Sequence, residues 1–100
     1  MIDVVILNWD NLNRDLASGM AKSLHTREYE YFCSLLVSAR EASGHTQAAV
    51  AATLGRPQSF VAKYEGGERR LDVIEFIQVC AALGVDPHAV LSAVQSMADA

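Results

Sequence analysis

The chain has 100 residues, 51% of them hydrophobic and 20% charged, with a formal net charge of −4. That is the composition of one globular domain with a modest core, and a helical chain of this size often gains further burial by pairing with a copy. The overall acidity excludes simple electrostatic attraction to a polyanion, and no apolar run approaches the length of a membrane span.

In chain order, residues 1–25 form an N-terminal extension. Ile2-Asp3-Val4-Val5-Ile6-Leu7 reads as a short strand, and 9–22 as a weak helix with Leu12, Leu16 and Met20 on one side. The apolar run is too short for a signal sequence and lacks a basic leader. A lone strand has no partner in this chain. It either pairs with its copy as a dimer arm or hangs as a loosely attached extension. Met20-Ala21-Lys22 also reads as a translation start, which would make residues 1–19 an upstream addition.

Five short helices follow, in a domain expected over residues 26–97. The first spans about 27–43, with Phe32, Leu35, Leu36, Ala39 and Ala42 at three- and four-residue spacing, and Gly44 ends it. Thr46 caps the second, about 47–54, and Gly55 closes it. Pro57 suits the first turn of a third helix, which Gly66-Gly67 ends. The fourth has the clearest start. Asp72 is the cap, Glu75 lies three residues on, and Leu71 staples onto Phe76; Ile77, Cys80 and Leu83 continue its stripe to Gly84. The fifth starts from Asp86 as cap and Pro87 at the first position, with Val85 set against Val90, and runs through Leu91 and Val94.

Cys33 and Cys80 sit far apart in apolar surroundings. Reduced, buried thiols are the expectation, with a disulfide the alternative. No metal-ligand spacing of Cys and His is present, and no cofactor or metal is expected.

Charge is unevenly distributed. Residues 1–30 carry three basic and five acidic groups, residues 40–70 five basic (Arg40, Arg56, Lys63, Arg69, Arg70) and three acidic, and residues 71–100 four acidic and none basic. The centre is thus +2 between flanks of −2 and −4. The third helix lies in that centre. At about 100° per residue, with Gln58 at zero, Ala62 falls near 40°, Ser59 near 100° and Lys63 near 140°. Pro57, Phe60, Val61 and Tyr64 fall between about 200° and 300°. One face is apolar. The other offers an amide, a hydroxyl, a methyl and an ammonium, with no carboxylate. That set hydrogen-bonds base edges, touches a thymine methyl and meets phosphate; it also suits an ordinary solvated face. The neighbouring spacing favours the first. Gln47, Ala51, Gly55 and Val61 put a small residue where two helices cross, glycine at the turn, and an aliphatic side chain facing back.

Thr46-Gln47-Ala48-Ala49-Val50-Ala51-Ala52-Thr53-Leu54-Gly55, followed by Pro57-Gln58-Ser59-Phe60-Val61-Ala62-Lys63-Tyr64-Glu65, resembles the Cro/XRE helix-turn-helix family, which includes the lambdoid phage repressors. Arg69-Arg70-Leu71-Asp72 and Ala82-Leu83-Gly84-Val85-Asp86-Pro87 look like that family's later segments. The resemblance covers roughly residues 30–92. It implies an all-α, five-helix, lambda-repressor-like DNA-binding domain that acts on operator DNA as a homodimer.

By position, the resemblance implies that Gln47 holds a phosphate and that Gln58, Ser59 and Lys63 reach base edges. Arg40 and Glu65 match a structural pair joining the first helix to the end of the third. Arg56, Arg69 and Arg70 either contact phosphates or are solvated charges. Two departures stand out. Ala49 replaces the acidic residue common in the family, so Thr46 lacks a capping-box partner, and residues 1–25 have no counterpart in the minimal domain.

The expectation is a sequence-specific transcriptional regulator, a repressor binding double-stranded DNA as a dimer, with a cytoplasmic, nucleoid-associated location. The alternative is an antitoxin-type interaction module that binds a partner toxin and its own promoter. An enzyme is not expected: His25, His45 and His88 are scattered, and Glu65-Gly66-Gly67-Glu68 is flanked by acids that repel phosphate.

Overall fold

The computed structural model describes residues 26–99. They form five helices: α1 (Arg27–Ala42), α2 (Gln47–Leu54), α3 (Gln58–Glu65), α4 (Val73–Leu83) and α5 (Pro87–Asp99). Among the described residues there is no strand. The strand expected over 2–7, the helix over 9–22 and the dimer arm all lie outside the described residues.

Four of the five helices begin where a side chain supplies a cap, and α3 begins without one. Thr26 Oγ1 accepts the Tyr29 N–H at 3.1 Å, and Thr46 Oγ1 accepts the Ala49 N–H at 3.0 Å. Asp72 and Glu75 form a reciprocal capping box: Asp72 Oδ1 accepts the Glu75 N–H at 2.7 Å, and Glu75 Oε1 accepts the Asp72 N–H at 3.1 Å. Asp86 Oδ1 accepts the His88 N–H at 2.9 Å, with Pro87 opening α5. Pro57 differs from its expected place. It precedes α3 as the cap position, with φ −64° and ψ 152°, and Gln58 is the first helical residue.

The core gathers Leu36 from α1, Val50 and Ala51 from α2, Phe60, Val61 and Tyr64 from α3, Phe76, Val79, Cys80 and Leu83 from α4, and Val90 from α5. Helix α2 packs on α3 and α4, while α1 packs on α3 and α5. Ala51, 3% exposed, lets the α2 and α3 backbones cross closely, and the fully buried Val61 fills the angle between them. Cys33 and Cys80 are free and buried, and burial pushes the Cys80 thiol up to about 11.

The apolar stripes are narrower than their spacing suggests. Cys33, not Ala42, lies on the buried side of α1. On α4, Phe76, Val79, Cys80 and Leu83 turn inward, whereas Ile77 is half exposed beside Val73 and Ile74. Leu91 of α5 is also half exposed.

Gly55 sets the angle between α2 and α3. Its φ of 67° is left-handed, and this lets Arg56 N–H reach back to the Ala51 carbonyl at 3.0 Å. A Cβ at this position would meet nothing within 4 Å, so the only penalty for a side chain is backbone strain. Gly55→Ala should therefore lower folding stability by about 1–2 kcal/mol, read as a lower urea midpoint with an unchanged m value. An unchanged midpoint would contradict this account of the turn.

Candidate nucleic-acid interface

Helix α3 is anchored from beneath. Phe60, Val61 and Tyr64 are 8%, 0% and 1% exposed, and the Phe60 and Tyr64 rings meet edge to face at 5.5 Å between centroids. Burial pushes the Tyr64 phenol up to about 12. With that face committed to the core, Gln58, Ser59, Ala62 and Lys63 are all exposed, on the face the helical wheel assigns to them. Lys63 forms no ion pair among the described residues.

At the far end of α3, the Glu65 carboxylate receives three donors. Arg40 Nε lies 2.7 Å from Oε2, Arg40 Nη2 lies 3.2 Å from Oε1, and Gln47 Nε2 lies 2.8 Å from Oε1. The Arg40 and Glu65 side chains are 15% and 6% exposed. Gln47, the first residue of α2, is half-buried and also accepts a long 3.5 Å contact from Gln58 Nε2. Gln47 and Gln58 are thus adjacent on the surface, although eleven residues apart in sequence.

The other three arginines of residues 40–70 are engaged within the molecule. Arg69 makes a two-pronged pair with Glu75: Nη1 to Oε1 and Nη2 to Oε2, both at 2.9 Å. Arg56 Nη2 reaches the same carboxylate at a looser 3.4 Å. Both guanidiniums lie over the Phe60 ring, with Cζ 4.6 Å and 4.9 Å from its centroid. Arg70 stacks on Tyr29 at 4.1 Å, and the Tyr29 hydroxyl donates to the Arg69 carbonyl at 3.4 Å. The Glu75 carboxylate is thus shared by the two guanidiniums over Phe60, near the start of α3, and Asp72 in the same capping box also acts on Arg69.

Sequence reasoning missed what organises this corner. Glu75 reads from its position as a capping-box residue and nothing more. Its second role depends on the chain between α3 and α4 bringing Arg69 back over Phe60, which no periodic pattern signals. Likewise, the bond from Gln47 to Glu65 crosses from α2 to α3 with no local spacing to mark it.

A family model described as a helix-turn-helix domain matches residues 32–93. The chain is 51% identical to an XRE-family like protein from Pseudomonas syringae pv. tomato str. DC3000, covering 79% of this chain and 96% of that one, with a TM-score of 0.71. It is 25% identical to the restriction-modification controller protein C.AhdI from Aeromonas hydrophila, covering 66% of this chain and 99% of that one, with a TM-score of 0.59. No curated protein matches.

Glu75 gives this corner a definite pH dependence. The Arg69 guanidinium first, and the Asp72 N–H second, hold its carboxyl down from an ordinary 4.5 to about 2. A folded-state pKa below the unfolded value contributes stability that is complete above about pH 4.5 and is lost as pH falls toward 2. The urea midpoint of the native chain should fall through that window. In Glu75→Gln it should start lower and fall less steeply. Parallel curves for the two proteins would contradict the assignment.

Proposed function

The chain belongs to the XRE family of helix-turn-helix proteins and is a DNA-binding transcription regulator; from that premise we propose that it works as a homodimeric repressor on a palindromic operator. The observation that carries the reading is the exposed, carboxylate-free edge of α3, made by Gln58, Ser59, Ala62 and Lys63 on the second helix of the helix-turn-helix. A helix of this kind fits the major groove of B-DNA, where amide, hydroxyl, methyl and ammonium groups each have a base-edge or phosphate partner. The likeness to a restriction-modification controller protein supports a regulatory role.

In this reading Gln47 and the first N–H groups of α2 fix the register on phosphate, and Gln58 reads an adenine edge. The three arginines divide their work. Arg69, doubly bonded to Glu75, is chiefly structural. Arg56, held at 3.4 Å, and Arg70, stacked but without an ion pair among the described residues, are the ones able to turn toward phosphate.

Support for a second copy comes from uncovered apolar surface. Val73, Ile74, Ile77 and Leu91 are 71%, 64%, 49% and 52% exposed, and a patch of large aliphatics is a candidate contact between copies. Two α3 helices about one DNA turn apart, roughly 34 Å, would then read two half-sites. Among the described residues no single helix is long and apolar enough to cross a membrane.

Selection of bound duplexes from random DNA should return a palindrome with half-sites about 10 base pairs apart. On that operator Gln58→Ala should relax preference at one base pair per half-site by about 1–3 kcal/mol. Lys63→Ala should weaken binding to all sequences and reduce the salt slope by about one per protomer. Failure to enrich any sequence, or unchanged affinity in both variants, would overturn the reading. Ile74→Asp should yield monomers in sedimentation velocity at concentrations where the native chain is dimeric. Monomeric native chain would remove the dimer from the proposal.

A further inference from the structure

We propose that Glu65 is a positioning residue for base reading: its carboxylate holds the Gln47 amide in one orientation and, through it, sets which end of the Gln58 amide faces DNA. The inference rests on the reading of Gln58 as a base contact, but its first link is internal to the protein.

The argument is one of donor and acceptor polarity. An ionised carboxylate only accepts, and a guanidinium only donates. Arg40 fastens Glu65 from α1 with two bonds, at 2.7 and 3.2 Å, in a site where the Glu65 side chain is 6% exposed. What remains on Oε1 is acceptor capacity directed at Gln47, whose Nε2 fills it at 2.8 Å. A flipped Gln47 would set its carbonyl oxygen against the carboxylate, so the amide has one favourable orientation. Its own oxygen is then turned toward Gln58, where Nε2 lies 3.5 Å away.

An acceptor at that point selects the NH₂ end of Gln58. One N–H is directed at it across 3.5 Å, and the other N–H and the carbonyl oxygen stay available. That leaves a donor beside an acceptor, the pair that N7 and the N6 amino group of adenine require. Guanine presents two acceptors, N7 and O6, and would need two donors. The hydrogen bonds from Arg40 through Glu65 to Gln47, with the 3.5 Å approach of Gln58 to Gln47, therefore bias the Gln58 amide toward adenine before DNA arrives. Arg40 and Glu65 cancel in charge, so these bonds change discrimination and not long-range attraction.

The test uses the full chain with Glu65→Gln, which presents an amide in place of the carboxylate. In the free protein, the Gln47 side-chain amide protons should exchange slowly with solvent in the native chain and markedly faster in the variant. On operator DNA, discrimination at the base pair read by Gln58 should fall by about tenfold, within what one bidentate contact supplies. Affinity for non-specific DNA should hold or rise, since a negative charge is lost. A purely structural role for Glu65 would lower specific and non-specific binding together and leave the base preference intact, and that result overturns the proposal. So does equal amide exchange in the two proteins. In a Gln58→Ala background, Glu65→Gln should cause no further loss of preference, and an additive loss would also overturn it.

If Glu65→Gln fails to fold, replacing the pair together, Arg40→Met with Glu65→Leu, removes the acceptor without stranding a buried guanidinium. The same loss of base preference is expected there, and an intact preference counts against the proposal. Should the native chain enrich no DNA sequence, the exchange measurement still decides the link from Glu65 to Gln47. The two failures are therefore distinguishable.

Discussion

The arrangement depends on how α3 is seated. Phe60, Val61 and Tyr64 give its inner face wholly to the core, and Ala51 lets α2 cross close above it. A helix of eight residues cannot hold itself in water, so its shape and angle come from this packing and from the left-handed turn at Gly55. Once the inner face is buried, the outer face has no freedom of placement. Gln58, Ser59, Ala62 and Lys63 protrude as a set because Phe60, Val61 and Tyr64 are inserted as a set.

Two buried carboxylates then distribute the positive charge. Glu65 neutralises Arg40 and takes it out of the attractive field. Glu75 is shared by Arg56 and Arg69 above Phe60, with Asp72 beside it in the capping box. An acidic protein thereby keeps a small basic surface around α3 without a general affinity for polyanions. The arrangement favours recognition that depends on a few directed contacts over one that depends on bulk attraction. It also explains why counting arginines overstates the interface. Arg69 and Arg40 are spent inside the molecule.

Helix boundaries were legible because they are set locally. Thr26, Thr46, Asp72 and Asp86 announce helix starts, and glycines at 44, 55 and 84 announce ends, within three or four residues of the groups they satisfy. The face of α3 was legible for the same reason. What escaped notice is non-local or quantitative. Ile77 fits the α4 stripe by spacing, yet it is half exposed because Phe76, Val79 and Cys80 already fill the available core. Pro57 lies one position earlier than expected, since a ψ of 152° cannot belong to a helical turn. The Gln47 partner of Glu65 and the Arg56 partner of Glu75 are eighteen and nineteen residues away, and Arg69 reaches Glu75 through an irregular connection, so only the folded chain brings them together. The strand and weak helix read in the first 25 residues fall outside the described region.

The central claim is that the outer edge of α3 enters the duplex. The most direct measurement is a map of amide chemical-shift changes on titrating the native chain with its selected operator at moderate salt. The account predicts that the largest changes fall on Gln47 and on residues 58–63, backbone and side chain together, and that α5 is nearly silent except at any surface shared between copies. Changes centred on α5 or on the exposed side of α1, with residues 58–63 unmoved, would contradict it.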